Sequence, residues 1–182
     1  APHRPATVRP GTGTDPLEAL TTVCGAAGRI PAGPAPPICE GGSGGLRAAR
    51  AAAEAHGLRV RARILDQTTV GVDPIIMLTG PIPATQKLLQ RNGLTMDDID
   101  LVEINEAFSS VVIAWQRELG ADMSRVNVNG GAIALGHPVG ATGGRLIATI
   151  VAELERRDAE IGLVTMCCGG GLGTATLVQR ID

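Results

Sequence analysis

Past residue 45 the apolar and polar positions fall into two alternating rhythms, and the switches between them lay out the chain. Residues 46–56 are rich in Ala, Arg and Glu and stop at Gly57, which predicts a helix with a glycine after its last turn. Arg59-Val-Arg-Ala-Arg-Ile-Leu65 then alternates strictly, the period of a half-buried strand, and puts Arg59, Arg61 and Arg63 on one face. A solvated outer face is the simpler use of those arginines, and contact with an anionic ligand the other. Gly71-Val-Asp-Pro74 and Gly80-Pro-Ile-Pro83 signal turns, and a helix follows as far as Asn92-Gly93. A short strand is expected at 101–104, then a helix to Leu119-Gly120, a strand at 126–128 and a helix at 144–157. The chain closes on a strand at 161–166 and a second alternating run, 174–181, that can pair with it as an antiparallel hairpin.

Strand and helix repeating in this order predict an α/β layered domain, a largely parallel mixed sheet flanked by helices. Residues 46–182 form that domain. Residues 1–45 read differently. Eight prolines, from Pro2 to Pro37, break helices and central strands, and Ser43 stands alone among Gly41, Gly42, Gly44 and Gly45. One short helix at 16–20, with Asp15 as N-cap, is expected there. The rest reads as poorly ordered or degenerate.

Composition narrows the function classes. At 182 residues the chain is expected to form one domain, or one domain plus a loose tail, and 44% hydrophobic residues suffice for a core. Aromatics make up only 1%, Phe108 and Trp115, so that core is built from Ala, Val, Ile and Leu. A formal charge of −2 and the lack of any Tyr argue against a nucleic-acid partner. No apolar run approaches the ~18 residues of a membrane span, and Ala1-Pro-His-Arg-Pro5 does not resemble a secretory leader, so a soluble cytoplasmic protein is expected. Four cysteines without a C-x-x-C pair and three scattered histidines predict no metal site and free thiols. Cys24 and Cys168 fit small buried hydrophobes.

The chemistry concentrates in one stretch. Residues 127–145 hold six glycines around His137, between a strand signal and a helix. The spacing Gly131-x4-Gly136 imitates a phosphate loop, but His137 and Pro138 follow where that loop needs Lys and Ser/Thr. Gly171-Leu-Gly173 imitates a dinucleotide fingerprint, but the third glycine and the helix are missing. The segments at Asn105, His137 and Cys167 all leave the carboxyl ends of expected strands, where α/β sheets bind ligands. An amide, an imidazole and a thiol beside glycine-rich backbone suit acyl chemistry. His137 and Asn105 can serve a developing oxyanion, 169–171 can expose backbone N–H groups, and Cys167 can exchange a proton.

Asn105-Glu-Ala-Phe108, Gly130-Gly-Ala-Ile-Ala-Leu-Gly-His-Pro138 with Gly140 and Gly143, and Cys167-x-Gly-Gly-Gly171-x-Gly173 resemble the thiolase family in order and spacing. Gly71-Val-Asp-Pro74 and Gly80-Pro-Ile-Pro-Ala84 look like two further family segments, and the resemblance runs from about Leu58 to the C-terminus. It implies an acetyl-CoA acyltransferase of fatty acid metabolism that cleaves or forms 3-ketoacyl-CoA, with coenzyme A as substrate and no bound cofactor. It also implies roles. His137 would activate the nucleophile and donate to the thioester oxygen, and Asn105 would anchor the water that completes that oxyanion hole. Cys167 would be the acid/base, the Gly169 N–H would join a second oxyanion hole, Phe108 would pack near the pantetheine arm, and Glu106 would support these groups from behind.

Two departures stand out. The family's acyl-carrying cysteine lies in an N-terminal half with a Cys-Ser/Ala-Ser/Ala-Gly type motif, and neither Cys24-Gly-Ala-Ala nor Cys39-Glu-Gly-Gly matches it. Pro34 and Pro36 stand where the family has an Asn and a CoA-contacting Ser, and Gly42-Ser-Gly-Gly45 stands in place of strand residues. These residues resemble a C-terminal half only. Two function classes follow: an acyltransferase half completed by a nucleophile-bearing thiolase half, or a non-catalytic truncated thiolase-like domain or partner subunit. Either is expected to form oligomers.

Overall fold

A computed structural model describes residues 8–22, 25 and 27–181; Cys24 and the first seven residues lie outside the described residues. The elements run α1 (Thr14–Glu18), α2 (Arg50–Ala55), β1 (Ala62–Gly71), α3 (Pro81–Asn92), β2 (Leu101–Ile104), α4 (Ser109–Leu119), α5 (Ala132–Leu135), α6 (Thr142–Arg157), β3 (Ile161–Cys168) and β4 (Leu172–Arg180). The long helices stop where the chain can turn left-handed. Gly93 after α3 and Gly120 after α4 have φ of 65° and 66°, and Asp158 does the same after α6 at 55°.

The four strands lie in the order β1-β4-β3-β2. β4 pairs antiparallel with both β1 and β3, and β3 pairs parallel with β2. Three strands therefore point one way and β4 alone is reversed, because the glycine turn at 169–171 folds it straight back beside β3. The sheet is mixed and flanked by helices, as the sequence pattern predicts.

The pleat sends alternate residues to two cores. Val102, Ile104, Leu163, Ala175 and Leu177 pack with α3 and α4 around Trp115, which is fully buried and donates from Nε1 to Thr85 Oγ1 at 3.0 Å. Leu101, Val164 and Val178 meet Leu146, Ile150 and Leu154 of α6 on the other face. Glu103 of β2 and Asn105 just after it, which share the parity of Leu101, thus face the α6 side.

Several elements differ from expectation. The helix expected at 46–56 is confined to Arg50–Ala55. β1 starts later than expected and runs further, since Asp66, Gln67, Thr68 and Thr69 continue the pairing with β4. Arg61, just before the strand, donates to Glu155 of α6, and Arg63 within it reaches Gln179. α1 begins at Thr14, with Asp15 inside its first turn. The strand expected at 126–128 is reduced to one bridge, Val102 to Val126, because Asn127 turns to φ 46°. The side chain of Asn127 then does the pairing: Oδ1 accepts from Ile104 N and Nδ2 donates to Ile104 O, both at 2.9 Å.

Residues 31–43 carry almost no regular structure, yet they run along the glycine-histidine loop. Ile38 forms a bridge with His137, His137 N donates to Pro37 O at 2.9 Å, and Ser43 Oγ donates to Ala141 O at 2.8 Å.

Candidate active site

Because β2 and β3 are parallel, Asn105 and Cys167 lie at the same end of the sheet. Asn105 N donates to Thr165 O at 3.0 Å, and Cys167 lies two residues further along β3. Asn105 is 1% exposed, and its Oδ1 has no hydrogen-bond partner among the described residues. Such an atom is costly unless something polar meets it, which makes it a natural place for a bound group.

Glu106 joins the end of β2 to the glycine loop. Its Oε2 accepts from Ile133 N at 2.9 Å and its Oε1 from Asn127 Nδ2 at 3.0 Å. A Cβ on Gly131 would overlap this carboxylate, so a glycine is needed there for the loop to approach. Asn129 Nδ2 donates to Glu153 Oε2 at 3.0 Å and secures the start of the loop to α6.

The loop then presents His137, half-buried, five residues ahead of α6 and against the first residue of that helix. Its Nδ1 lies 2.8 Å from Thr142 Oγ1, and the Thr142 hydroxyl donates to Pro138 O at 2.9 Å. A hydroxyl has one hydrogen to give. With that hydrogen on Pro138, the bond to the ring is donated by Nδ1–H, and Nε2 keeps a free lone pair. Burial, and after it the Arg145 charge, hold the imidazole below its usual pKa, which favours the neutral base.

Cys167 is half-buried, and burial pushes its thiol up from the ordinary value, with Cys168 adding to the effect. It is therefore a protonated acid at neutral pH rather than a standing thiolate. Met166, one residue earlier, packs 3.7 Å from where a Cβ on Gly143 would stand, so the first turn of α6 lies over the end of β3. Gly169 is exposed in the turn, and Gly170 and Gly171 follow with φ of 83° and 81°. Phe108 is half-buried at the start of α4, where Ser109 N donates to Pro34 O at 3.0 Å. A groove of about 460 Å³ lies beside α6, lined by Thr68, Gly143, Ile147, Met166, Thr174 and Thr176.

The structure thus brings the Asn105, His137 and Cys167 segments to one end of the sheet, with Glu106 binding two of them together. Sequence reasoning missed Asn127, Thr142, Glu103 and Arg145. The Asn127/Asn129 pair at the head of the glycine run was the available signal for the first. Thr142 lies five residues beyond His137, within reach once the helix is known to start there.

This is a layered α/β domain with an amide, an imidazole and a thiol at one end of its sheet, and comparison with known proteins gives it a family. Residues 58–180 match the model of the thiolase C-terminal domain. The steroid 3-ketoacyl-CoA thiolase FadA6 of Mycobacterium tuberculosis is 53% identical over 154 residues, 85% of this chain and 38% of that protein. The acetyl-CoA acetyltransferase of Paracoccus denitrificans is 45% identical over 173 residues, 95% of this chain and 44% of its own length. Among solved structures, human mitochondrial 3-ketoacyl-CoA thiolase in complex with CoA superposes with a TM-score of 0.88 at 38% identity, over 97% of this chain and 45% of that one. The chain belongs to the thiolase family and contains its C-terminal domain. It spans less than half the length of these relatives.

Proposed function

We propose that these residues supply the acid/base and oxyanion half of an acyl-CoA C-acyltransferase site, which cleaves or forms 3-ketoacyl-CoA reversibly. The observation that carries this reading is the meeting of Asn105, the His137 loop and Cys167 at the carboxyl end of the parallel strands. His137, with Nε2 unprotonated, takes the proton of an acyl-accepting thiol and returns it as a hydrogen bond to the thioester oxygen. The buried amide of Asn105 holds a water for the same oxygen. Cys167, kept protonated by burial, delivers a proton to the enolate of acetyl-CoA in cleavage and removes one in condensation. Gly169 N–H meets the second oxyanion. Coenzyme A is the substrate, its pantetheine arm passing near Phe108. The acyl-carrying cysteine comes from polypeptide outside these residues.

The test is thiolysis of acetoacetyl-CoA by the 182-residue chain, alone and mixed with the N-terminal half of a relative. Turnover should require the mixture and disappear with Cys167→Ala. Turnover by the chain alone that survives Cys167→Ala would sink the assignment, as would a well-formed mixed complex that never turns over.

A further inference from the structure

The buried side-chain polar atoms without a hydrogen-bond partner, among the described residues, belong to three residues only: Asn105 Oδ1, Glu103 Oε2, and Nε and both terminal nitrogens of Arg145. The site reading above accounts for Asn105 but gives Glu103 and Arg145 no task. Glu103 is 2% exposed, on the face of β2 that looks toward α6, and its Oε2 lies 3.7 Å from an Arg145 terminal nitrogen. A charged pair this deep, without hydrogen bonds, is a poor source of stability. Its placement suggests another use. Thr142, which bonds the His137 ring, and Arg145 are three residues apart on α6 and so share a face of its first turns.

We propose that Arg145, paired with Glu103, is a positioning residue for His137: it sets a fixed positive charge on the face of α6 that carries Thr142, the residue bonded to the imidazole, and so readies the ring to take a thiol proton. The charged and titratable groups around this spot are few. Arg145 comes from α6 and Glu103 from β2. Glu106 stands at the turn after β2, but its carboxylate is spent on Ile133 and Asn127. Glu153, further along α6, is neutralised by Arg156 and Arg157. Cys39 approaches the loop at Gly136 from the N-terminal segment. Burial raises the Glu103 carboxyl to about 7. Below that pH it is largely protonated, so the Arg145 charge acts on His137 without compensation. This also gives the pair a reason to be imperfect: a tight bidentate bridge would cancel the field that the ring feels.

The use of a neutral ring rests on the proposed acyl transfer, but the device itself can be read without substrate or partner. NMR titration of the imidazole C–H signals of the whole chain, with His137→Gln identifying the resonance, gives the protonation midpoint directly. Arg145→Gln should move that midpoint up by about half a pH unit, a roughly threefold gain in proton affinity. Arg145→Lys, which keeps the charge, should restore most of the original value. If Arg145→Gln does not fold, Glu103→Gln with Arg145→Met removes both charges, an exchange that buried pairs commonly tolerate, and should raise the midpoint in the same way. A midpoint that stays put in the folded neutral variants overturns the proposal. So does one that Arg145→Lys raises as much as Arg145→Gln, since packing rather than charge would then be at work. Failure of thiolysis with an intact titration response would count against the acyl-transfer reading alone.

Discussion

At the scale of single residues, Asn127 shows how a side chain can replace a strand. Its amide makes two bonds to the backbone of Ile104 and a third to Glu106, from a left-handed backbone conformation that Asn tolerates better than most residues. Asn127→Ala should therefore cost about 2–3 kcal/mol in urea unfolding, because it leaves buried backbone groups of Ile104 unpaired. Asn127→Gly keeps the conformation and loses the same bonds. It should be nearly as damaging and should expose the Ile104 amide to faster hydrogen exchange. A Gly variant as stable as the parent would mean that the backbone angle, not the pairing, is what Asn127 provides. Asn105, His137 and Cys167 were legible in the sequence because each sits in a local motif whose chemistry can be read in place. Asn127, Glu103 and Arg145 were not, because their partners lie far along the chain. Asn127 meets a residue 23 positions away, and no local pattern encodes that.

At the scale of elements, what holds the site end of the sheet is backbone against backbone. A Cβ on Gly173 of β4 would overlap the main chain of Gly80, which stands just before α3, and a Cβ on Gly171 would come within 2.8 Å of Pro74 Cα. The two turn signals Gly71-Val-Asp-Pro74 and Gly80-Pro-Ile-Pro83 thus serve as more than turns: they lie directly against the β3–β4 hairpin, with Val72 N donating to Gly171 O at 2.7 Å. Gly173→Ala should destabilise the chain by roughly 2 kcal/mol or more, since neither contact surface is a flexible side chain. Gly44→Ala, which meets nothing within 4 Å, is the matched control and should be neutral. Equal effects of the two in chemical denaturation would show that close packing at Gly173 is not limiting. Strand and helix periods revealed most elements, whereas the reach of β1 stayed hidden. Its second half, Asp66 to Thr69, is polar enough to read as loop, and it becomes a strand only because β4 pairs with it.

At the scale of the whole molecule, two buried or bridged carboxylates pull stability in opposite directions with pH. Glu153 accepts from Arg156, Asn129 and Arg157, with Arg156 the main cause, and these bonds hold its pKa down to about 2. Its contribution is complete above the unfolded value near 4.5 and is lost as pH falls toward 2. Glu103 behaves in the opposite sense. Burial lifts its pKa to about 7, so the folded state binds the extra proton between 4.5 and 7, and stability declines as pH rises through that window. The cost of ionising Glu103, with the attraction of Arg145 already included, is about 3 kcal/mol. The two trends together place the stability maximum near pH 5, below the usual neutral plateau. Thermal melts at pH 5 and pH 8 check this directly. The parent chain should melt roughly 5–10 °C lower at pH 8, and Glu103→Gln should remove most of that difference while leaving the acid limb, set by Glu153, in place. If Glu103→Gln leaves the pH 8 melt unchanged, Glu103 is ionised at little cost in the folded chain. Arg145 would then be fully compensated, and the field proposed to act on His137 would go with it.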